Sequence, residues 1–266
     1  NYDGLASGLP PIGVKYDDAS RKVVCTLEQD DIMDGLNWLH KWYQDGIINP
    51  DANVVTDGGK GSIFGSAQGW PAAATTWAFN QGIEKYDLAQ VFGPLYTTET
   101  IQGSMNAISA NSKYKTEALK VLQLMNTDPK FRDMCAYGTE GNYMEYAEDG
   151  TVQKLRDDWN WPSYTQGTFF ILSTQADGDP DAWNQVKEQN ESATASTCLG
   201  FALDVTNIQN EVANCNTVWD KYKNDLLTGA SDPATAVPAC IEELKAAGLD
   251  TVIEEAQKQV DEFFAN

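Results

Sequence analysis

From Val205 to Phe264 the chain reads as helix after helix, and this stretch limits the fold more than any other. Val205 to Leu226 forms one helical run, a shorter helix ends at Gly248, and Thr251 to Phe264 forms the last. Leu249, Val252, Ile253, Ala256, Val260 and Phe263 recur at helical spacing as an apolar stripe, and Thr251 with Glu254 has the spacing of a capping box. The opposite face is not basic, so the stripe belongs to packing inside the protein and not to a membrane surface. A chain that ends in packed helices needs a core for them to cover.

Upstream, strand and helix signals alternate. The opening reads as a loop, and GVKYDDASRKVVCTLE follows as a two-stranded element turning at Asp17 to Ser20. A helix starts at Asp30 or Asp31, carries Ile32, Leu36, Leu39 and Tyr43, and stops before Gly46. GSIFGSA reads as a short strand running to Gln68, Gly69 and Trp70, where Pro71 ends it, and AAATTWAFNQGIEKY reads as a helix. DLAQVFGPLY and GSMNAISANS are further strand candidates. A helix spans Lys113 to Asn126 with Ala118, Val121, Leu122 and Met125 on one face. Asp128 and Pro129 restart a helix that Gly138 closes, NYMEYAEDGTVQKL reads as a hairpin, and a helix lies near Asp181 to Gln189. The expected class is α/β.

Charge and residue usage remove several functions. With 18 Lys+Arg against 39 Asp+Glu the net charge is −21, which repels phosphate backbones and anionic membrane surfaces, so no nucleic-acid partner is expected. No apolar run approaches the roughly 18 residues that cross a bilayer, and NYDGLASGLPPIG lacks the parts of a signal peptide. His40 is the only histidine, and it is expected to serve structure. Cys25, Cys135, Cys198, Cys215 and Cys240 form no CxxC or Cys/His cluster. No metal, no cofactor and no histidine-dependent triad is expected; the cysteines read as small buried apolar residues, at least one without an intramolecular partner, as suits a reducing or anaerobic setting. Neither a GxxxxGK[ST] run nor a strand-linked GxGxxG is present, so a nucleotide site has no support.

Two constellations remain. Asp157 and Asp158 stand beside Trp159 and Trp161 in DDWNWPSY, the residue types a glycoside hydrolase places around a sugar ring, although an acidic chain produces such neighbours by chance. The aromatic residues say more: Trp70, Trp77, Trp159, Trp161, Tyr164 and Phe201 fall at strand ends or in polar, turn-rich surroundings. An indole there offers a flat apolar face and an N–H donor, which suits the C–H face and hydroxyl edge of a sugar.

GKGSIFGSAQGW resembles the GKxAMxxxGxW segment of the maltose-type extracellular solute-binding proteins of ABC importers, with Gly59, Lys60, Gly69 and Trp70 in register. GSMNAISANSKYKTEALKVLQLMNTD is similar to that family's return crossing between lobes. WYQDGIINPDA, YGTEGNYMEY, NESATASTCLGFALD and KAAGLDTVIEEAQKQ resemble a lipoprotein subgroup with a distinctive C-terminal region, so the likeness covers nearly the whole chain. It departs where Gly61 and Ser62 replace an alanine pair and where Pro71 follows Trp70 directly.

The resemblance implies a two-lobe, periplasmic binding protein-like II fold, of which this chain looks like roughly the C-terminal half, without the signal peptide, lipid-attachment cysteine and most of the first lobe. The implied organisation is a C-terminal-lobe portion over 1–101, a returning N-terminal-lobe segment over 102–158, and completion of the C-terminal lobe over 159–266. The implied function is a monomeric substrate-binding component, a cell-surface lipoprotein in full-length form, that captures a small hydroxylated solute, an oligosaccharide first, and delivers it to permease subunits without catalysis. Trp70 would be the stacking platform with Gln68 beside it; Asn106, Glu140, Tyr143, Trp161, Phe201 and Asp204 are the other expected ligand-binding residues, each with an alternative reading as lobe scaffolding. Trp77 reads as core packing or cleft rim. The competing reading is a glycoside hydrolase or lyase fragment that uses Asp157, Asp158 or Glu140.

Overall fold

The computed structural model describes residues 1–55, 65, 68–71, 73, 77, 83, 87–156, 158, 159, 161 and 163–265. Among these, chain order runs β1 (Tyr2–Asp3), β2 (Ile12–Lys15), β3 (Val24–Cys25), a 3-10 turn (Thr26–Glu28) and α1 (Asp30–Gln44), then β4 (Leu95–Tyr96), α2 (Thr98–Ile101), α3 (Lys115–Thr127) and α4 (Pro129–Tyr137). β5 (Met144–Tyr146), β6 (Val152–Lys154), α5 (Ala182–Glu191), β7 (Thr194–Ala195), α6 (Gln209–Leu227), α7 (Pro233–Ala246) and α8 (Leu249–Phe264) complete it. The chain divides into two compact units, one of Asn1–Gly59, Leu95–Ile101 and Ala195–Asn266, the other of Lys60–Pro94 and Gln102–Thr194. No helix among the described residues is long and apolar enough to cross a membrane.

In the first unit β1, β2 and β3 form an antiparallel sheet in that order. The opening therefore pairs as a strand where a loop was expected, because a Cβ on Gly13 would lie 2.7 Å from the Asp3 carbonyl oxygen and glycine alone admits β1 so closely. Asp18 closes the expected turn by accepting from the Ser20 and Lys22 amides at 2.9 and 3.0 Å. α1 begins one residue after Gln29, with Asp30 and Asp31 in its first turn and Gly46 in the left-handed region beyond its end. α6, α7 and α8 pack on one another and α1 packs on α6 and α7. The core runs through Val14, Leu36, Cys215, Leu226, Leu244 and Val252. Of the C-terminal stripe, Leu249, Val252, Ala256 and Val260 are buried and Phe263 is half exposed.

The capping box at Thr251 does not form. Gly248, at φ 109, separates α7 from α8, and α8 starts at Leu249, which places Thr251 inside the helix. Burying Leu249 completely outweighs a side-chain cap two residues later.

In the second unit Asp128 caps α4 by accepting from the Phe131 amide at 3.0 Å, with Pro129 in the first turn and Gly138 at φ 90 beyond the end. β5 and β6 form the expected hairpin. Ala136, Tyr137, Met144, Val152 and Leu172 make a small core. Beside it α4 carries two fully buried charged residues. Asp133 accepts from Tyr146 Oη at 2.9 Å, the Ser173 amide at 2.9 Å and Ser173 Oγ at 2.8 Å. Arg132 donates to the carbonyls of Thr168 and Ser163 at 3.0 and 2.9 Å, and Tyr137 Oη donates to that of Ser173 at 2.8 Å. These bonds tie 163–173 to α4 within the second unit.

Two strand expectations change, and a third, GSIFGSA, lies mostly outside the described residues. DLAQVFGPLY pairs only at Leu95–Tyr96, where β4 lies beside β7, and residues 105–109 belong to neither helix nor strand. The last stretch has no ladder partner among the described residues, and without one an apolar alternation does not make a strand.

Candidate functional site

Trp70 is half-buried in the second unit among aromatic rings. Its ring centroid lies 6.1 Å from Phe169, nearly parallel at 25°, 6.4 Å from Tyr164 at 30°, and 6.3 Å from Trp77 edge-on at 68°. Phe169 in turn stacks on Trp183 at 4.7 Å and 5°. Such offset and edge-on pairs are the favoured geometries of aromatic contact and hold the rings in fixed orientations.

The local sequence explains how the rings meet. A Cβ on Gly69 would lie 2.8 Å from Trp77 Cη2, so glycine lets the Trp77 ring lie against the backbone before Trp70. Tyr164 and Phe169 come from a loop whose carbonyls at Ser163 and Thr168 are both held by Arg132. Gly167, at φ 73, closes that loop; a Cβ there would meet Arg132 Nε and the Met125 carbonyl oxygen at 2.9 Å. The buried guanidinium thus fixes the backbone immediately before each of the two rings that flank Trp70. Burial holds the Arg132 pKa below the usual arginine value, and its Nη1 has no hydrogen-bond partner among the described residues.

A second aromatic group lies in the same unit. Tyr143 meets Trp159 at 5.3 Å, the Arg156 guanidinium lies 4.7 Å over the Tyr143 ring, and Trp159 Nε1 donates to the Cys135 carbonyl at 3.0 Å. The indole N–H groups of Trp161 and Trp183 are buried without an acceptor among the described residues. A cavity of about 310 Å³ is lined by Asp149, Thr151, Phe170, Ser173, Trp183 and Asn184. That volume sits at the lower end of small-molecule sites, so it accommodates about one sugar ring.

Of the expected ligand-binding residues, Trp70, Gln68, Asn106, Glu140, Tyr143 and Trp161 all belong to the second unit. Gln68, Asn106 and Glu140 are exposed, and Tyr143 and Trp161 are half-buried. Phe201 and Asp204 belong to the first unit. Phe201 is 3% exposed, packed in the core and edge-on to Phe263 at 5.6 Å, which leaves no ring face for a ligand. Asp204 is exposed; the Thr206 hydroxyl and amide hold its carboxyl below the usual range, and its backbone N–H and C=O bond both ends of the Gln259 amide. It therefore braces the loop before α6 against α8. His40 also serves structure, as expected: Nδ1–H donates to the Gly229 carbonyl at 2.7 Å.

Phe169 and Trp183 join the aromatic group around Trp70 and were not among the expected residues. The aromatic density of WNWPSYTQGTFF carried the signal for Phe169, but nothing in helical AWNQVKEQNE marks Trp183 as a neighbour of a ring fourteen positions earlier. Among the proposed catalytic carboxylates, Asp157 lies outside the described residues and Asp158 is paired with Arg156 at 2.9 Å. The Arg156 hydrogen bond holds Asp158 below the usual carboxylate range, the opposite of what a general acid in glycoside hydrolysis needs. No group of His, Cys, Asp and Glu suited to a metal occurs among the described residues.

Residues 197–265 match the model of a domain of unknown function, DUF3502. Over 278 aligned residues the chain is 26% identical to a carbohydrate ABC transporter substrate-binding protein of Streptococcus pneumoniae, covering 100% of this chain and 56% of that protein. The structure is similar to the crystal structure of the N-glycan transport solute-binding protein NgtS of the same organism, with a TM-score of 0.86 and 25% identity over 100% of this chain and 61% of that one. The NgtS complex with Man5GlcNAc gives a TM-score of 0.80 at 25% identity over the same shares. The likeness expected from the GKGSIFGSAQGW segment thus extends over the whole chain, and the fold is of the periplasmic binding protein-like type. The chain spans 56 to 61% of the length of these relatives, a share consistent with roughly a C-terminal half.

Proposed function

We propose that the chain is part of the substrate-binding component of an ABC importer, and that it captures an oligosaccharide through the aromatic group around Trp70. The observation that carries this reading is the whole-chain likeness to NgtS, a protein solved in complex with Man5GlcNAc. The ring geometry supports the assignment of the site. Trp70 and Tyr164, the latter 65% exposed, offer aromatic surface beside polar Gln68, and a sugar presents an apolar C–H face with hydroxyls at its edge. Asn106, Glu140, Tyr143 and Trp161 are the further candidates of that unit; Phe201 and Asp204 have structural roles and leave the set.

Binding free energy in such a component selects a receptor state and no bond is made or broken. The protein acts outside the cytoplasmic membrane, as a cell-surface lipoprotein in full-length form, and passes its sugar to permease subunits. Calorimetric titration with mannose and N-acetylglucosamine oligosaccharides tests the reading. Saturable binding without turnover is expected, weakened about tenfold or more by Trp70→Ala, which corresponds to about 1.4 kcal/mol. Wild-type affinity in that variant removes Trp70 from the site, and cleavage of the bound sugar replaces the transport reading with an enzyme.

A further inference from the structure

α1 carries two tryptophans that the sugar site does not use. Trp38 and Trp42 are 58% and 43% exposed, although tryptophan is among the largest apolar side chains and α1 buries Leu36 on its other side. They stand one helical turn apart, with ring centroids at 6.3 Å and planes tilted by 44°. The backbone after the helix folds back beneath them, where the Ile47 amide donates to the Trp42 carbonyl at 2.9 Å, and the Ile47 side chain is itself exposed. Gly35, on the same side of α1 by helical spacing, has open space where a Cβ would stand. A mid-helix glycine costs about 1 kcal/mol against alanine, and no described residue packs against Gly35 to require it. Two exposed indoles, an exposed isoleucine and a bare stretch of helix form an apolar ridge of the kind that marks a contact surface.

The frame of the ridge defines its partner. Asp30, Asp34 and Asp45 follow the same side of α1, and Lys41, the cation among them, is paired with Asp45. In a chain of net charge −21 this acidic rim rejects an anionic lipid surface. It also rejects a second copy, because a two-fold contact would lay the rim against itself. A sugar platform fits poorly: ligand sites are concave, whereas this is the outer face of a helix with its two rings out of plane. A protein surface with an apolar pocket framed by Lys and Arg matches in shape and in charge.

We infer that the Trp38–Trp42 ridge of α1 is a docking surface for the membrane subunits of the importer, received in an apolar pocket with a basic rim; this rests on the importer reading above. The test uses the protein with its cognate membrane and ATPase subunits in nanodiscs, measuring sugar-dependent stimulation of ATP hydrolysis against receptor concentration. Trp38→Ala/Trp42→Ala is expected to raise the half-maximal concentration about tenfold or more, the usual effect of losing buried interface tryptophans, while calorimetric sugar affinity stays unchanged. Asp34→Lys, which removes no apolar surface, is expected to raise it as well and to flatten its dependence on salt. Stimulation by the double variant equal to wild type overturns the ridge as the docking surface and leaves sugar capture standing. A wild-type protein that self-associates through these tryptophans, lost in the double variant by sedimentation, also overturns it. Absence of stimulation by wild type overturns both the docking surface and the importer reading.

Discussion

The two units of this chain are held by different forces. In the first, an apolar core joins Leu5, Val14 and Leu27 near the start of the chain to Leu226, Leu244 and Val260 near its end, so that segments far apart in sequence share one interior. In the second, Ala136, Tyr137, Met144, Val152 and Leu172 form a small cluster, and the work of joining segments falls to Arg132, Asp133 and Tyr137, whose side chains bond the 163–173 loop. Large apolar and aromatic side chains of that unit stay exposed, among them Leu119, Tyr164 and Phe170. The contrast has a functional reading. The second unit, braced by buried polar bonds, leaves rings such as Tyr164 free to meet a ligand, whereas the first buries most of its apolar residues in one core and leaves Trp38, Trp42 and Ile47 exposed along α1 and just beyond its end.

The largest effect expected from breaking the contrast comes from the first unit. Leu244 is fully buried between α6 and α8, and Leu244→Ala deletes contacts that the helices cannot regain by collapsing, at a cost of about 2–5 kcal/mol. Hydrogen exchange is expected to lose protection across α6 to α8 while α4 and the hairpin keep theirs. Equal loss in both units shows that they unfold as one body and removes the energetic distinction.

The second unit is expected to respond to a polar change instead. Asp133→Ala leaves the Tyr146 hydroxyl and the Ser173 amide and hydroxyl without their acceptor, which costs about 2–4 kcal/mol once the donors have relaxed. Because Ser173 anchors the loop that carries Tyr164 and Phe169, sugar affinity is expected to fall along with stability. Asp133→Leu sharpens the comparison: if the fully buried site tolerates it, the unit is held by apolar packing after all. The carboxylate pulls the other way on Tyr146, whose pKa is raised by burial and then by its bond to Asp133, so ultraviolet titration of the variant is expected to show a tyrosine ionising earlier.

This division also explains what was legible in the sequence. α1, α3, α4 and the three C-terminal helices followed from periodicity and caps, and the β5–β6 hairpin from its Glu-Asp-Gly turn, because apolar spacing and turn chemistry are local signals. Trp70 stood out by its neighbours Gln68 and Gly69. Arg132 did not, since a lone arginine in a helix gives no sign that its partners are carbonyls more than thirty residues away. Phe201 misled for the opposite reason: the family resemblance faced it to a cleft, but it is buried in the core with Phe263 from α8 edge-on against it. Long-range packing decided both residues, and a single sequence does not encode it in any short window.

The smallest effect concerns the thiols, and it separates the units by chemistry alone. All five cysteines are free; the first unit buries Cys25, Cys198, Cys215 and Cys240, and the second holds half-buried Cys135. Burial pushes Cys198 and Cys215 up to about 11 and Cys240 up to about 12. At Cys135 burial also raises the pKa, but the neighbouring Arg132 charge works against it. A thiol whose folded pKa lies above its unfolded value of about 8.5 favours the folded state below that pH and loses the contribution as pH rises through the folded value. The first unit is therefore expected to weaken between about pH 8.5 and 12, with little change below pH 8, while α4 and the hairpin lose less, through the single thiol of Cys135 and then their tyrosines. Because the thiolate is the reactive form, iodoacetamide at pH 8 is expected to modify Cys135 first and the other four only as denaturant opens the core. Mass spectrometry of the labelled peptides reads the order directly. Cys240 reacting as fast as Cys135 under native conditions would mean that the contact of α7 with α6 opens on the labelling timescale, and the first unit would then owe less to its core than its burial suggests.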